Sequence, residues 1–499
     1  MSSIESVGVR VRMAPGPTGP FHIGRARTAV INWLFARHHA GTFVLRIEDT
    51  DQKRSKPEHL QSILDSFHWL GLEWDEGPEV GGPYGPYFQM GRLPSYRMYA
   101  QRLLESGKAY RCYCTAEELE AQRAQATAER RAFRYPRTCR YLSEAERQER
   151  EDRGLTHVLR LAVDTEGATS FDDLVLGAIS VQNSELDDLV IVKTDGIPTY
   201  NFAVVIDDLT MRISHVIRGQ DHVPNTPKQI SIYRALDEPL PAFAHLPMVV
   251  NLEERKISAR YGARPVNDWG NDGYLPEAIF NYLATLGISY REGEELFSRT
   301  DLIKLFELDK VGRSRSKMDQ DKMDWTNAQY LRALPLLEFV RRSMPFLELR
   351  ELVQTPPTPE DMDRATAALS LEQERVRTLA ETPDAVEFFL RDDISYDPYL
   401  LVMKKSSAAE AGYIIDAALR IIGELDGFDH DVLDQRFRSL AQELELKTGT
   451  VFGTIRVAIT GRTAAPPLFD TMLVLGREVV TARLEKASAH LAARSDNLE

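Results

Sequence analysis

Strand-like and helix-like segments alternate through the first 80 residues, and that order constrains the fold more than any other feature of the chain. Val7–Met13 alternates apolar and polar residues, as a strand with one covered face does. A turn rich in Pro and Gly follows at Ala14–Gly24, then a helical stretch with Val30, Trp33 and Leu34 on one face. Phe43–Ile47 reads as a second strand and Pro57–Leu70 as a second helix. Strands joined through a helix must cross over, so they pair in parallel and bury both faces of their sheet. Ligands of such sheets bind outside the carboxyl ends of the strands. The turn after the first strand is therefore the first place to look for chemistry.

That turn runs Arg12-Met-Ala14-Pro-Gly16-Pro-Thr-Gly-Pro-Phe-His22-Ile-Gly24-Arg25. A glycine at position 24 lets a ligand approach the backbone, and the helix behind it offers free N–H groups and a positive dipole end to phosphates. His22 can donate a hydrogen bond to a phosphoryl oxygen as charge builds in a transition state. A second cationic segment, Lys256-Ile257-Ser258-Ala259-Arg260, has the composition of a mobile loop that could close over a triphosphate.

At 499 residues the chain is long enough for three to five domains. From about Pro86 the pattern changes. Leu93–Ser106 is helical in spacing, and Thr115 with Glu118 forms a capping box that opens another helix. Ala121–Arg153 holds nine arginines, no lysine and six acidic residues. Strand-like segments return at Val158–Val163, Leu189–Lys193 and Thr199–Ile206, so the middle of the chain reads as an insertion into the sheet domain. Beyond Leu331 the chain reads as helical, with a loop at Thr355–Pro359 and amphipathic runs at Ala365–Leu379, Ala408–Leu425 and Leu468–Leu491.

Sixty-one basic against 75 acidic residues give a net charge of −14, which repels nucleic acid as a whole but leaves room for a local basic track. Three cysteines in such a length argue against a disulfide framework and for a reducing compartment. No run of apolar residues approaches membrane-spanning length. The expectation is a cytoplasmic protein with no membrane partner, and nothing demands more than a monomer. All three cysteines fall in one segment: Cys112-x-Cys114, then 24 residues, then Cys139-x-Tyr141. Three thiolates sharing one ion would make a structural zinc site with Tyr141, or Tyr135, as the fourth ligand; three reduced thiols are the alternative.

With its flanks, the first turn resembles the "RFAPSPTG…HIGG.R" signature of the class I aminoacyl-tRNA synthetases that charge glutamate. The Lys256 loop resembles their "KMSKS" motif. Leu45–Asp51 (LRIEDTD) matches the family's "LRIEDTD", Asp195–Ala203 (DGIPTYNFA) its "DG.PTYNFA", and His215–His222 (HVIRGQDH) its "HVIRGEDH". Arg456–Gly461 (RVAITG) resembles "RVALTG" of the anticodon-binding region. The motifs lie in family order along nearly the whole chain.

The resemblance implies an α/β Rossmann-like class I catalytic domain with an α+β insertion, followed by an all-helical anticodon-binding half. The expected boundaries are 1–86 and 195–255 for the two catalytic halves and 87–194 for an acceptor-stem-binding insertion. A stem-contact region should span 256–330, with two helical anticodon-binding domains at 331–395 and 396–499. The implied activity is ATP- and Mg²⁺-dependent activation of L-glutamate and its transfer to tRNA(Glu), with tRNA(Gln) as an additional acceptor in a non-discriminating enzyme. Residues expected to act on the phosphates are His22, Lys256 and Arg260. Glutamate would be held by Arg12, Ala14, Glu48, Tyr200 and Arg218. ATP would be held by Gly24, Asp221, His222, Val249, Lys256, Ile257 and Ser258. Two carboxylates and one ammonium need two cations and one anion, which Arg12, Arg218 and Glu48 supply.

Three residues depart from the family pattern: Gly16 for serine, Gln220 for glutamate and Ala259 for the second lysine of the loop. Losing a cation beside a departing pyrophosphate slows activation by about 10- to 1000-fold where nothing compensates. These departures also leave open a catalytically weakened tRNA-binding paralogue. A helical C-terminal half favours glutamate over the β-barrel-bearing glutamine enzymes.

Overall fold

The computed structural model describes residues 8–255, 257 and 264–495. It divides into two units, one from the described parts of Met1–Trp269 and Pro276–Gln320, the other from Gly270–Leu275 and Asp321–Glu499.

In the first unit the strand Arg10–Met13 pairs in parallel with Thr42–Leu45, and the helix Ile23–His38 makes the crossover. On its other side the Ser214 N–H donates to the Arg10 carbonyl at 2.9 Å, and the Arg10 N–H to Ser214 Oγ at 2.8 Å. His215–Gly219 follows, parallel to Ala242–Leu246 with Arg218 opposite His245. Ala168–Asp173 joins that strand through Asp173 opposite Phe243, and Gly177–Gln182 closes the edge antiparallel. The central strands are apolar on both faces, as a covered parallel sheet requires: Val11, Phe43, Val44, Ile217 and Ala244 are fully buried. Met13, Leu45, Gly219 and Leu246 end at one edge, and that edge carries the site.

A separate antiparallel sheet of Ala109–Cys112, Val158–Leu161 and Val190–Val192 lies within the expected insertion. Its helix Ala116–Ala128 opens with the expected Thr115–Glu118 capping box. The hairpin Ala168–Gln182, also inside the 87–194 range, pairs instead with the sheet that holds Ala242–Leu246.

Thr199–Ile206 is not a strand. Thr199 is the N-cap and Tyr200–Ile206 lies in the helix Tyr200–Thr210, whose residues Phe202–Asp208 are all buried. A short apolar run covered on every side has neither period, so spacing alone cannot separate strand from helix there.

The second unit is helical, as expected, with Leu336–Leu349, Pro359–Glu372, Thr382–Leu390, Ala408–Glu424, His430–Glu443, Thr448–Thr460 and Leu468–Ser495. Pro359 begins a helix rather than ending a loop: the Thr358 side chain accepts from the Asp361 N–H and Pro sits where no N–H is needed. That helix ends at Glu372, so the run read at Ala365–Leu379 begins earlier and stops sooner. Gly476, with φ 79° and ψ 157°, breaks the last helix.

A buried carboxylate ties the Tyr200–Thr210 helix to the rest of the first unit. Asp207 accepts from Arg92 Nε at 2.6 Å, Gln89 Nε2 at 2.9 Å and the Tyr96 hydroxyl at 2.9 Å. Arg46 Nε stands 3.6 Å away, and Asp207 is 0% exposed. Asp207→Ala leaves two buried guanidinium groups short of their counterion and should cost this unit about 3–5 kcal/mol. Chemical denaturation measures the loss; a change under about 1 kcal/mol would mean the carboxylate carries no such role.

Candidate active site

At the carboxyl edge of the parallel sheet lies a cleft of about 590 Å³. Its walls include Arg12, Ala14, His22, Gly24, Glu48, Tyr200, Arg218, Asp221, His222, Val249 and Ile257. The structure thus brings together every candidate substrate residue that it describes. Lys256, Ser258, Ala259 and Arg260 lie outside the described residues.

The floor is a balanced set of buried charges. Arg12 donates to Asp208 through Nε at 3.1 Å and Nη2 at 3.3 Å. Arg46 Nη1 donates to the same carboxylate at 2.7 Å, and its Nη2 to Glu48 Oε1 at 3.1 Å. Burial pushes the Asp208 carboxyl up, but Arg12 and Arg46 outweigh burial and hold it below the usual range. Glu48 ends on the other side of that balance. Burial raises its pKa more than Arg46 and Arg12 lower it, so its charge gains from a further cation.

Arg218 is held differently. Its Nε faces His245 Nε2 at 3.1 Å and its Nη2 donates to Thr226 Oγ1 at 2.8 Å, both neutral groups. Its Nη1 is buried with no hydrogen-bond partner among the described residues. Only 5% of Arg218 is exposed, and burial lowers its pKa. A buried cation held by neutral groups, with one donor unused, favours an arriving anion. The Tyr200 hydroxyl lies 2.9 Å from His222 Nδ1.

Two of the turn's three glycines, Gly24 and Gly16, differ in their reasons. At Gly24 a Cβ would stand 3.2 Å from the His22 imidazole, so the missing side chain makes room for that ring as well as for a ligand. At Gly16 a Cβ would stand 3.1 Å from the Glu48 carbonyl oxygen. The turn packs closely on the Glu48 backbone here, and a serine would need that carbonyl to give by a few tenths of an ångström.

Sequence reading missed Asp208, Arg46, His245 and Thr226. Asp207-Asp208 closing an apolar run was the available signal. Taken as a helix, that run carries two carboxylates into the protein interior.

In the segment expected to be an insertion, the Sγ atoms of Cys112, Cys114 and Cys139 lie within 4.8 Å of one another. Tyr135 is buried, its hydroxyl 3.1 Å from Cys112 Sγ and 3.9 Å from Cys114 Sγ. Tyr141 is 75% exposed. Of the two tyrosines, the structure sets Tyr135 at the thiols.

The family model for class I tRNA synthetases (E and Q), catalytic domain, matches residues 8–325, and that for an anticodon-binding domain matches residues 338–488. The chain belongs to the class I aminoacyl-tRNA synthetases of this glutamate and glutamine group. Its relatives sharpen the placement within that class. A protein named glutamate–tRNA ligase from Moorella thermoacetica is 46% identical over 480 residues, 96% of this chain and 98% of that one. Another of that name from Geotalea uraniireducens is 45% identical over 481 residues, again 96% and 98%. The crystal structure of a glutamate tRNA ligase from Elizabethkingia meningosepticum, in complex with its amino acid, matches with a TM-score of 0.88. That match is at 31% identity and covers 97% of this chain and 100% of that one. No described helix is long and apolar enough to cross a membrane.

Burial, then the nearby Arg218 charge, pushes the His222 imidazole down to about 4. The unfolded imidazole takes its proton near about 6.5, so between these values the unfolded chain binds more protons. His222 therefore subtracts stability as pH falls through that window and is neutral above it. An NMR titration should place its midpoint below about 5; a midpoint above about 6 would show that the cleft does not exclude the charge.

Proposed function

We propose that this chain is a glutamate–tRNA ligase, which activates L-glutamate with ATP and transfers it to the terminal adenosine of tRNA(Glu). The observation that carries this reading is Arg218, a buried cation with an unused donor, beside a class I cleft floor in which Arg12 and Arg46 are already paired with Asp208 and Glu48. A dicarboxylate with an ammonium group suits that site. Arg218 and Arg12 face the carboxylates, Tyr200 adds a hydroxyl, and Glu48, raised by burial, takes the ammonium.

ATP enters as its Mg²⁺ salt. Asp221, His222, Val249 and Ile257 hold the adenosine part, while His22 and the turn ending at Gly24 face the phosphates. Lys256, Ser258 and Arg260, which lie outside the described residues, would supply cations and a hydroxyl to the triphosphate. A glutamate α-carboxylate oxygen attacks the α-phosphorus in line and pyrophosphate leaves. A ribose hydroxyl of the tRNA then attacks the acyl carbon and AMP leaves. No covalent enzyme intermediate is needed, so catalysis rests on positioning and electrostatics. The segment 87–194 would meet the acceptor stem, with exposed arginines such as Arg123, Arg130 and Arg134 on phosphates, and the helical half would meet the anticodon.

The purified chain should charge tRNA(Glu) with labelled glutamate when given ATP, and Arg218→Lys should lower kcat/KM by about 100-fold or more. Failure of the wild-type chain to charge that tRNA would overturn the reading.

The thiol cluster fits a structural zinc ion. Two sulfurs at about 2.3 Å from a tetrahedral ion stand about 3.8 Å apart. Cys114 Sγ and Cys139 Sγ are 3.7 Å apart, and all three cysteines are free of disulfides. Tyr135 is the nearest of the expected fourth donors. When bound, the ion would hold the strand Ala109–Cys112 to the turn at Cys139. Metal analysis should find about one zinc per chain and far less in Cys139→Ser. A metal-free wild-type chain with full thermal stability would leave three reduced thiols.

A further inference from the structure

Two groups behind Arg218 take no part in the reaction as proposed, yet they are fully buried and face each other. Asp173 ends the strand Ala168–Asp173, and His245 lies in the neighbouring parallel strand Ala242–Leu246. Both side chains are 0% exposed. Asp173 Oδ1 accepts from the backbone N–H groups of Leu176 at 2.8 Å, Val175 at 3.0 Å and His245 at 3.2 Å. Its Oδ2 lies 2.6 Å from His245 Nδ1.

Across the ring, His245 Nε2 lies 3.1 Å from Arg218 Nε and 3.1 Å from Thr226 Oγ1. A guanidinium only donates, so Nε2 accepts and the imidazole proton sits on Nδ1, facing Asp173. Burial lowers the imidazole pKa against the pull of Asp173, which keeps Nε2 an acceptor. Arg218 Nη2 is tied to Thr226. With Nε and Nη2 both tied, the guanidinium plane is set and Nη1 has one direction left.

We propose that Asp173 and His245 are positioning residues for glutamate binding: Asp173 sets the tautomer of His245, and His245 aims Arg218 Nη1 at a substrate carboxylate. This rests on the reading of Arg218 as a glutamate-binding residue. The role is distinct from packing, because an apolar residue of similar size would fill the space yet leave Arg218 Nε buried without an acceptor.

The experiment is steady-state charging of tRNA(Glu) by the full chain, with KM measured separately for glutamate and ATP. His245→Asn keeps a donor near the Nδ1 position but offers no acceptor at Nε2. His245→Gln carries a carbonyl oxygen far enough to take the place of Nε2. In Asp173→Asn the backbone N–H groups claim the amide oxygen, so the NH₂ faces His245 Nδ1 and turns the tautomer the wrong way. His245→Asn and Asp173→Asn should raise KM for glutamate about 10- to 100-fold and move KM for ATP by less than about twofold. His245→Gln should return to within about fivefold of wild type.

Asp173→Asn keeps the shape of the side chain and carries the test if a His245 variant does not fold. A glutamate KM within about twofold of wild type in both Asn variants would overturn the proposal, as would equal rises for glutamate and ATP. Either result leaves the proposed function standing. A wild-type chain that charges no glutamate would instead remove that function, and this inference with it.

Discussion

Asp208 accepts from Arg12 and Arg46 at the same time, and the rest of the cleft depends on that shared carboxylate. Each isolated ion here would lose several kcal/mol of hydration, so the floor is tolerable only as a closed set. Arg12, Arg46 and Arg92 stand against Glu48, Asp207 and Asp208, three positive and three negative groups. The set links the first strand, the second strand's exit and the Tyr200–Thr210 helix, elements far apart in the chain. It holds Arg12 and Glu48 at fixed places on the cleft wall before any substrate arrives. Such preorganisation places the energetic cost of orienting charge in folding rather than in the reaction step.

Parallel topology explains why so few elements suffice. Strands Arg10–Met13, Thr42–Leu45, His215–Gly219 and Ala242–Leu246 run in one direction, so residues just beyond their ends meet at one edge. Ala14, Glu48, Asp221 and Val249 therefore share a cleft although 235 positions separate the first from the last. Arg218 and His245 are register partners on adjacent strands, which is why an imidazole can stand behind the guanidinium.

Much of this was legible in the sequence where local chemistry decides. The capping box at Thr115, the helix Pro57–Leu70 with Pro at its start, and the strand-turn-helix from Arg12 to His38 each carry their own signal. What was illegible depends on burial. Thr199–Ile206 has β-branched and aromatic residues and is covered all round, so its helix left no periodic trace, and Asp208 was hidden with it. Nor does spacing reveal that Gly16 packs on the Glu48 carbonyl, or that Tyr135 rather than Tyr141 turns inward to the thiols. Those facts arise only when distant segments meet.

On the proposed function, charge balance also supplies amino-acid discrimination. The floor without Arg218 sums to zero; Arg27, also buried on the cleft wall, is spent on the Leu286 and Pro247 carbonyls, while Arg218 meets only the neutral His245 and Thr226 among the described residues. A substrate carboxylate reaching Nη1 would close the balance. A neutral amide in the same place could satisfy the hydrogen bond but would leave the charge. In a desolvated site that residue of unbalanced charge is the expensive part, larger than the hydrogen bond itself. Selection for an acidic side chain would then come from the site's excess charge rather than from its shape, and an acidic and an amide substrate of nearly equal size could be told apart without a tight steric fit.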